Sequence, residues 1–329
     1  QGNTFPGVAT AFHFDLVKAP ETVSEFQGWW TFDKNGELDI EAGVAIFKLW
    51  QDMYLVHPDR RVYVRLEIHP YGEGSFGQFI FLDFKFIGMP LSEAEQYMQE
   101  AFRMIGKPQG PTPGGTWTTM SYWESLTMSG GSGQTNLPGC KSWNPIDPQE
   151  AKMTWKDARE EMLQVKPPFC SWDGQFSTNM KYRALVMQKM SDYTIRRFLT
   201  VVTAAPFFDG AHQSWNFYLQ IDPSNGAAGD VPPTETAYPW RGQDEMTMQV
   251  IAKWGAGQAT HLFSPSDHNP TLMGFNYLLI AAMQPYVGTR SYYNYADENM
   301  PGGAIPLFSY FGENAQRVLD IHQKYSDWR

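Results

Sequence analysis

The feature that most constrains the fold of this chain is a pair of segments in which apolar side chains recur at every second residue. These segments are Val62–His69 and Phe79–Ile87, and residues 214–221 and 246–253 repeat the pattern. Period-two alternation places successive side chains on opposite faces of a strand, so each segment has one apolar and one semi-polar face. The glycine-rich residues 72–77 predict that a hairpin connects the first two strands.

Much of the remaining chain has apolar residues at the spacing typical of helices. We predict helices over residues 39–53, 92–104, 148–165, 179–203, 271–283 and 314–325. Ser92, with Glu95 three residues later, predicts a capping box for the second of these. Residues 12–16 alternate like a strand, residues 21–60 are expected to consist of loops and helix, and residues 107–149 are expected to be irregular. The predicted fold class is α+β, with a largely antiparallel sheet covered by helices on one face.

Composition excludes several classes of partner. Thirty-five acidic residues against 25 basic ones give a net charge of −10, and no basic run interrupts that balance. We therefore expect no nucleic-acid or membrane partner. The seven histidines show no ligand spacing, so no metal site is predicted. Cys140 and Cys170 fit one disulfide or two free thiols. We assign the protein to the secreted or periplasmic class, although the sequence shows neither a signal peptide nor a glycosylation motif.

The semi-polar faces of the predicted strands supply candidate binding residues. The two interpretations are a solvent-facing surface and the floor of a cavity that orients a hydroxylated small-molecule substrate. The substrate-binding candidates are Glu67, Asp83, Asn216, Tyr218, Gln220 and Thr247. Arg65, Lys85 and Gln249 belong to the same set if the strands adjoin. A second candidate region, residues 291–297, holds three tyrosines and an asparagine, which suit either a core corner or a proton acceptor beside a redox centre.

That tyrosine-rich segment also carries a family resemblance. Its Tyr292-Tyr293-Asn294-Tyr295-Ala296-Asp297 resembles the Tyr-x-Asn-Tyr-x-Asp signature of berberine-bridge-type FAD-linked oxidases, within the vanillyl-alcohol-oxidase-type flavoproteins. Residues 236–241 (Thr-Ala-Tyr-Pro-Trp-Arg), 225–227, 310–314 and 2–10 are similar to further motifs of that family, in its order. The resemblance covers residues 1–20 and 205–328.

The resemblance implies a division of the chain into three parts. Residues 1–20 would be the last strand of an FAD-binding domain, residues 21–290 a substrate-binding domain, and residues 291–329 a segment that returns to the FAD domain. FAD would be bound mainly by an N-terminal part that this sequence lacks. We therefore expect a separate N-terminal FAD-binding chain or fragment as partner, produced by proteolytic processing, and hence a heteromer.

The resemblance also implies roles for individual residues. Tyr292 would be the catalytic base, and Gln249 would be the second catalytic residue. Asn294 and Tyr295 would contact the flavin, and Asn3, Gly7 and Val8 would lie beside its phosphate or ribose. Many relatives carry Lys or Arg where this chain has Thr247, so a cation near Tyr292 must come from elsewhere. Arg241, Arg65 and Lys85 are the candidates.

The implied activity is oxidation of a hydroxyl group by hydride transfer to flavin N5, with oxygen as the expected acceptor. A sugar hemiacetal fits the aromatic and acidic composition, and a secondary metabolite or aromatic alcohol fits it too. Two alternatives from other classes stay open: a non-catalytic binding subunit that has lost flavin, and a structural subunit of a heteromer.

Overall fold

The computed structural model describes nine stretches of the chain: residues 18–31, 39–56, 59–70, 79–108, 115–122, 179–203, 215–254, 270–295 and 307–326. The predicted strand at residues 12–16, the helix at 148–165, the glycine-rich turn, Cys140 and Cys170 lie outside them. The three-part division of the chain stays a prediction.

A seven-stranded sheet forms the centre of the fold. Its strands are β1 (Thr22–Thr31), β2 (Val62–His69), β3 (Phe79–Ile87), β4 (Thr116–Ser121), β5 (Asn179–Gln188), β6 (Trp215–Pro223) and β7 (Glu245–Trp254). They lie in the order β4-β1-β3-β2-β6-β7-β5. Every named pairing is antiparallel. The predicted α+β class with an antiparallel sheet is confirmed.

Within the described stretches, six α-helices accompany the sheet. They are α1 (Ile40–Gln51), α2 (Leu91–Ile105), α3 (Asp192–Thr203), α4 (Pro270–Val287), α5 (Leu307–Phe311) and α6 (Ala315–Ser326). A π-helical turn, Asp52–Val56, extends α1, and short 3-10 turns lie at Tyr293–Tyr295 and Gly312–Asn314. Asp39 caps α1 because its Oδ1 accepts hydrogen bonds from the Glu41 and Ala42 amides.

The capping-box prediction for α2 is wrong, although the helix is present. Pro90 occupies the N-cap position, and no side chain caps the helix there. Ser92 is already the second helical residue. The Pro90 carbonyl accepts from the Glu93 and Ala94 amides, so the helix starts at Leu91 through its backbone. Proline provides an extended residue just before the first turn without needing a side-chain acceptor.

Helices α1 to α4 cover the apolar face of the sheet. Phe47 and Trp50 of α1 and Phe198 of α3 pack in one core cluster with Phe84 and Phe86 of β3, and all five are fully buried. The Trp50 indole N–H donates to the Val64 carbonyl at 3.0 Å, so the polar group of this buried ring has a hydrogen-bond partner. Burial of each such ring contributes about 2–3 kcal/mol.

Three strands were not predicted from the sequence. Residues 179–188 form strand β5 and not the first half of a helix, because Ala184 to Met187 form a continuous apolar run that is buried on both faces. The core face of β1 mixes Ser24 and Gly28 with aromatic residues, which hides its alternation. Strand β4 lies at the exposed edge of the sheet, and it forms through its pairing with β1 and not through an alternating pattern of its own.

Candidate functional site

The semi-polar residues lie together on the face of the sheet opposite the helices. Three cross-strand pairs show this: Arg65 pairs with Asp83, Glu67 pairs with Gln220, and Gln220 pairs with Gln249. Antiparallel neighbours in register share a face, so strands β3, β2, β6 and β7 assemble one polar surface. The residues on it are Arg65, Glu67, Asp83, Lys85, Asn216, Tyr218, Gln220, Thr247 and Gln249. Their predicted common face is confirmed; for Asn216 only the backbone position is described.

Charged side chains at one end of this polar surface form a connected series. The Arg65 guanidinium lies 3.0 Å from Glu67 Oε1 and 3.3 Å from Asp83 Oδ2. Burial, followed by a hydrogen bond with the Glu25 carboxyl, raises the pKa of Asp83 to about 7, while the Arg65 charge opposes the shift. The Lys85 ammonium lies 3.7 Å from Glu25. Arg65 and Lys85 are thus committed to neighbouring carboxylates.

An aromatic stack crosses the same face. The buried His69 ring lies parallel to Phe79 at 4.2 Å and to Tyr218 at 5.1 Å. His69 Nε2 is 3.1 Å from Glu67 Oε2, which fixes the ring in its plane. Trp29 and Phe81, both half-buried, add a second ring pair at 6.1 Å. The polar surface therefore combines flat apolar contacts with hydrogen-bonding groups, as ligand sites do.

Asp222 is a second hydrogen-bonding centre on the same polar surface. Its Oδ2 accepts from Gln220 Nε2 at 2.8 Å and from Gln249 Nε2 at 3.3 Å, and its Oδ1 accepts from the Tyr63 hydroxyl. Burial, and then the Asp222 charge, raise the pKa of Tyr63, so the phenol stays a donor. The sequence-based selection missed both Asp222 and Tyr63. The signal was present, since the polar positions 216, 218 and 220 continue to 222 in the same alternation.

Thr247 connects the polar surface to the tyrosine segment. Its hydroxyl contacts Ser224 Oγ at 2.8 Å and is hydrogen-bonded to the Tyr238 hydroxyl. Burial raises the pKa of Tyr238 to about 12, which keeps this phenol protonated. The Tyr238 ring meets the Tyr292 ring edge-to-face at 5.3 Å. Tyr238 is therefore the bridge between the sheet and the predicted base.

The backbone before Tyr292 is anchored to the edge of the sheet. The Val186 amide of β5 donates to the Arg290 carbonyl, Ser291 forms a bridge with Leu185, and the Ser291 amide donates to Ser309. The Arg290 guanidinium lies 2.6 Å from the buried Glu245 carboxylate. Burial raises the pKa of Glu245, and Arg290 opposes that shift. These contacts hold the chain in place one residue before Tyr292.

Tyr292 itself is half-buried, and its hydroxyl accepts from Asn294 Nδ2 at 2.5 Å. The side chains of Asn294 and Tyr295 are exposed. Of the three candidate cations, Arg241 is linked to Tyr292 through one intervening residue. Its guanidinium lies 5.6 Å from the centre of the Tyr238 ring, and that ring contacts Tyr292. It also donates to the Tyr238 carbonyl and to Thr236 Oγ1.

Two of the motifs that carried the family resemblance pack against each other. Gly312 has φ +48°, and a Cβ there would lie 2.9 Å from the Trp240 ring, so only glycine fits. Asn314 Nδ2 donates to the carbonyls of Pro233 and Thr236. Trp240 Nε1 donates to the Ser309 carbonyl. Residues 233–241 and 309–314 thus form one unit that supports the tyrosine segment.

The structure brings Gln220 and Gln249 together at Asp222, and Thr247 is the register partner of Asp222 on the next strand. Tyr238 links Thr247 to Tyr292, which contacts Asn294 and Tyr295. Glu67, Asp83 and Tyr218 lie on the same face, and Glu67 pairs with Gln220 across the strands. Asn3, Gly7 and Val8 lie outside the described residues, so their predicted contacts with FAD stay predictions. Within the described stretches, no group of three or more His, Cys, Asp or Glu residues is placed to hold a metal ion. In the same stretches, no helix is both long and apolar enough to cross a membrane.

Comparison with known proteins agrees with the resemblance read from the sequence. No family model matches the chain. A curated relative, berberine bridge enzyme-like 9 of Arabidopsis thaliana, is 21% identical over 187 residues, which is 53% of this chain and 33% of that protein.

Solved structures share the fold over 94% of this chain. Glucooligosaccharide oxidase from Acremonium strictum superimposes with a TM-score of 0.62 at 16% identity, over 54% of its own length. Chitooligosaccharide oxidase gives 0.61 at 17% identity, over 53% of its length. A variant of Physcomitrella patens BBE-like 1 gives 0.59 at 15%, over 52%. The Acremonium enzyme carries FAD.

These likenesses confirm that the chain resembles berberine-bridge-type FAD-linked oxidases and has the fold of their substrate-domain portion. The chain spans about half the length of the solved relatives and a third of the curated one.

Proposed function

We propose that this chain is the substrate-side part of an FAD-dependent oxidoreductase that oxidises a hydroxyl group. The observation that carries the proposal is the position of Tyr292. Its backbone is anchored to β5, its hydroxyl is bonded to Asn294, and Tyr238 and Thr247 connect it to the polar surface of the sheet. A phenol held beside a polar, ring-lined surface suits proton abstraction from an alcohol.

FAD, when bound, supplies the acceptor for the hydride of the CH–OH carbon. The exposed Asn294 and Tyr295 fit this group, because a carboxamide offers both donor and acceptor atoms to the edge of a flavin ring and a phenol adds a flat contact. Residues 1–20 and a part of the protein outside this chain, on a separate chain or fragment, would hold the rest of the cofactor. The chain spans about half the length of the solved relatives, which supports this part of the proposal.

Tyr292 would take the hydroxyl proton of the substrate. An isolated phenol has a pKa of about 10, so a base at neutral pH needs stabilisation of its phenolate. The Asn294 amide supplies a hydrogen bond to the same oxygen, and the Arg241 charge lies behind the Tyr238 ring. Gln249 would contact the substrate from the polar surface, together with Gln220 and Thr247.

The favoured substrate class is a neutral sugar oxidised at its anomeric hydroxyl, with oxygen as the final acceptor. The combination of ring pairs and amide groups on the polar surface supports a polyhydroxylated, uncharged molecule. Relatives of the same fold include oxidases of gluco- and chitooligosaccharides. A panel of neutral oligosaccharides and aromatic alcohols, assayed for anaerobic bleaching of the flavin, distinguishes this class from the aromatic-alcohol alternative.

The test of the proposal is a visible spectrum of the natively purified protein, followed by stopped-flow reduction of Tyr292→Phe. We expect flavin absorption in the wild type and a reduction rate about a hundredfold lower in the variant, the usual scale for loss of a general base. Tyr293→Phe, which alters the neighbouring phenol, is the matched control and should keep the wild-type rate. A colourless protein would favour a binding subunit, and unchanged reduction in Tyr292→Phe would remove its role as the base.

A further inference from the structure

Asp222 contacts both amide side chains that face the predicted substrate position. Gln220 Nε2 and Gln249 Nε2 converge on the same oxygen, Oδ2, at 2.8 and 3.3 Å. The other oxygen, Oδ1, accepts from the Tyr63 hydroxyl. The three donors lie on three different strands, so one carboxylate fixes the positions of side chains from β2, β6 and β7 relative to one another.

The chemistry of a carboxylate decides which way the two amides point. An ionised carboxyl only accepts hydrogen bonds, so each glutamine must turn its NH₂ group towards Asp222. The carbonyl oxygen of a planar amide then points away from Asp222. Gln220 and Gln249 are half-buried, and within the described stretches neither Oε1 has a hydrogen-bond donor.

Tyr63 prevents Asp222 from releasing this arrangement. Burial raises the pKa of the Tyr63 phenol, so it remains a donor to Oδ1. With Oδ1 occupied, rotation of the carboxylate would break the Tyr63 contact along with an amide contact. Leaving a buried donor without its partner is unfavourable, which opposes that rotation.

We infer that Asp222 is a positioning residue: it orients Gln220 and Gln249 so that both present carbonyl oxygens to the ligand. Two acceptors side by side select a ligand that donates hydrogen bonds, as hydroxyl groups do. Oxidation converts such a hydroxyl to a carbonyl, which cannot donate, so the same amides hold the product less tightly than the substrate. The identity of the ligand as a hydroxyl compound rests on the proposed function; the orientation of the amides does not.

Asp222→Asn tests the orientation directly, because it keeps the shape and adds a donor. In the variant, one glutamine must turn its carbonyl towards the new NH₂ group. The measurement is the set of glutamine side-chain amide signals in ¹H–¹⁵N correlation spectra of the whole protein, assigned with Gln220→Ala and Gln249→Ala. We expect the signals of both Gln220 and Gln249 to move.

A matched control exists on an exposed loop. Asp230 accepts from Gln243 Nε2 at 2.8 Å, so Asp230→Asn disturbs the same kind of contact away from the polar surface. It should move the Gln243 signal alone. Tyr63→Phe is a second variant that keeps the Asp222 charge and frees Oδ1, and it should move the Gln220 and Gln249 signals by less. If these two signals stay in place in both Asp222→Asn and Tyr63→Phe, the inference is overturned.

Calorimetric titration with cellobiose, a neutral disaccharide, tests the consequence for ligand binding. Loss of one well-placed acceptor should weaken binding about tenfold in Asp222→Asn and leave it unchanged in Asp230→Asn. Equal affinity in Asp222→Asn and wild type would overturn the claim that the amides serve the ligand. If the wild type binds no cellobiose, the sugar assignment fails, whereas the amide spectra still decide the role of Asp222.

Discussion

The two faces of the central sheet are built from the same strands and obey different physical rules. On the helix-facing side, β3 contributes Phe84 and Phe86, which are fully buried in one continuous apolar core. On the other side, the same strand contributes Asp83, a buried carboxyl between Arg65 and Glu25. The apolar face is stabilised by contact area, which is non-directional, while the polar face depends on which donor meets which acceptor.

This difference separates residues that hold the fold from residues that perform its chemistry. Removing an apolar side chain leaves a cavity and lowers stability without altering any charge. Removing a polar group from the other face changes the orientation or protonation of its neighbours. Stability should therefore be most sensitive on one face, and ligand binding on the other.

The largest expected effect on stability is that of Phe84→Ala. Loss of a fully buried ring should lower the free energy of unfolding by about 3–5 kcal/mol, measured by urea denaturation. Phe81→Ala, on the polar face of the same strand and half-buried, is the control and should lose less than half as much. Equal losses would mean that the two faces contribute to stability in the same way.

Asp83→Asn should change how stability depends on pH. The raised pKa of Asp83, about 7 against 3.8 for the free group, means that between these values the folded protein binds the proton and the unfolded chain does not. The wild type should therefore lose up to about 4 kcal/mol of stability as pH rises from about 4 to about 7. In Asp83→Asn this part of the slope should disappear, as followed by urea denaturation at a series of pH values.

The control for that experiment is Asp230→Asn, which alters an exposed aspartate. Its pH profile should match that of the wild type. A slope that persists unchanged in Asp83→Asn would assign the pH dependence to another group.

Gln249→Ala should have the smallest effect, and only on ligand binding. It removes one hydrogen-bonding amide from the polar surface, so the substrate should bind about tenfold more weakly, with stability and flavin content preserved. Gln243→Ala, on the exposed loop, should behave like the wild type. Loss of flavin from Gln249→Ala would place this residue on the cofactor and not on the substrate.

Much of this comparison was available from the sequence. The alternation in Val62–His69 and Phe79–Ile87 predicted two faces of different character, and the structure confirms which residues lie on each. The tyrosine segment was also identified, because its spacing matches a family signature. Asp222 was missed because the predicted strand ended at residue 221, one position short of the alternation.

Local patterns determined strands β2, β3, β6 and β7, their faces and the family resemblance, because alternation and motif spacing are properties of neighbouring residues. The tertiary structure alone decided that residues 179–188 form an edge strand, since an apolar run buried on both faces has no diagnostic period. It also decided that Tyr63, Gln220 and Gln249 meet at one carboxylate and that Tyr292 reaches the sheet through Tyr238. Contacts between distant segments depend on the order and register of the strands, which no single segment encodes.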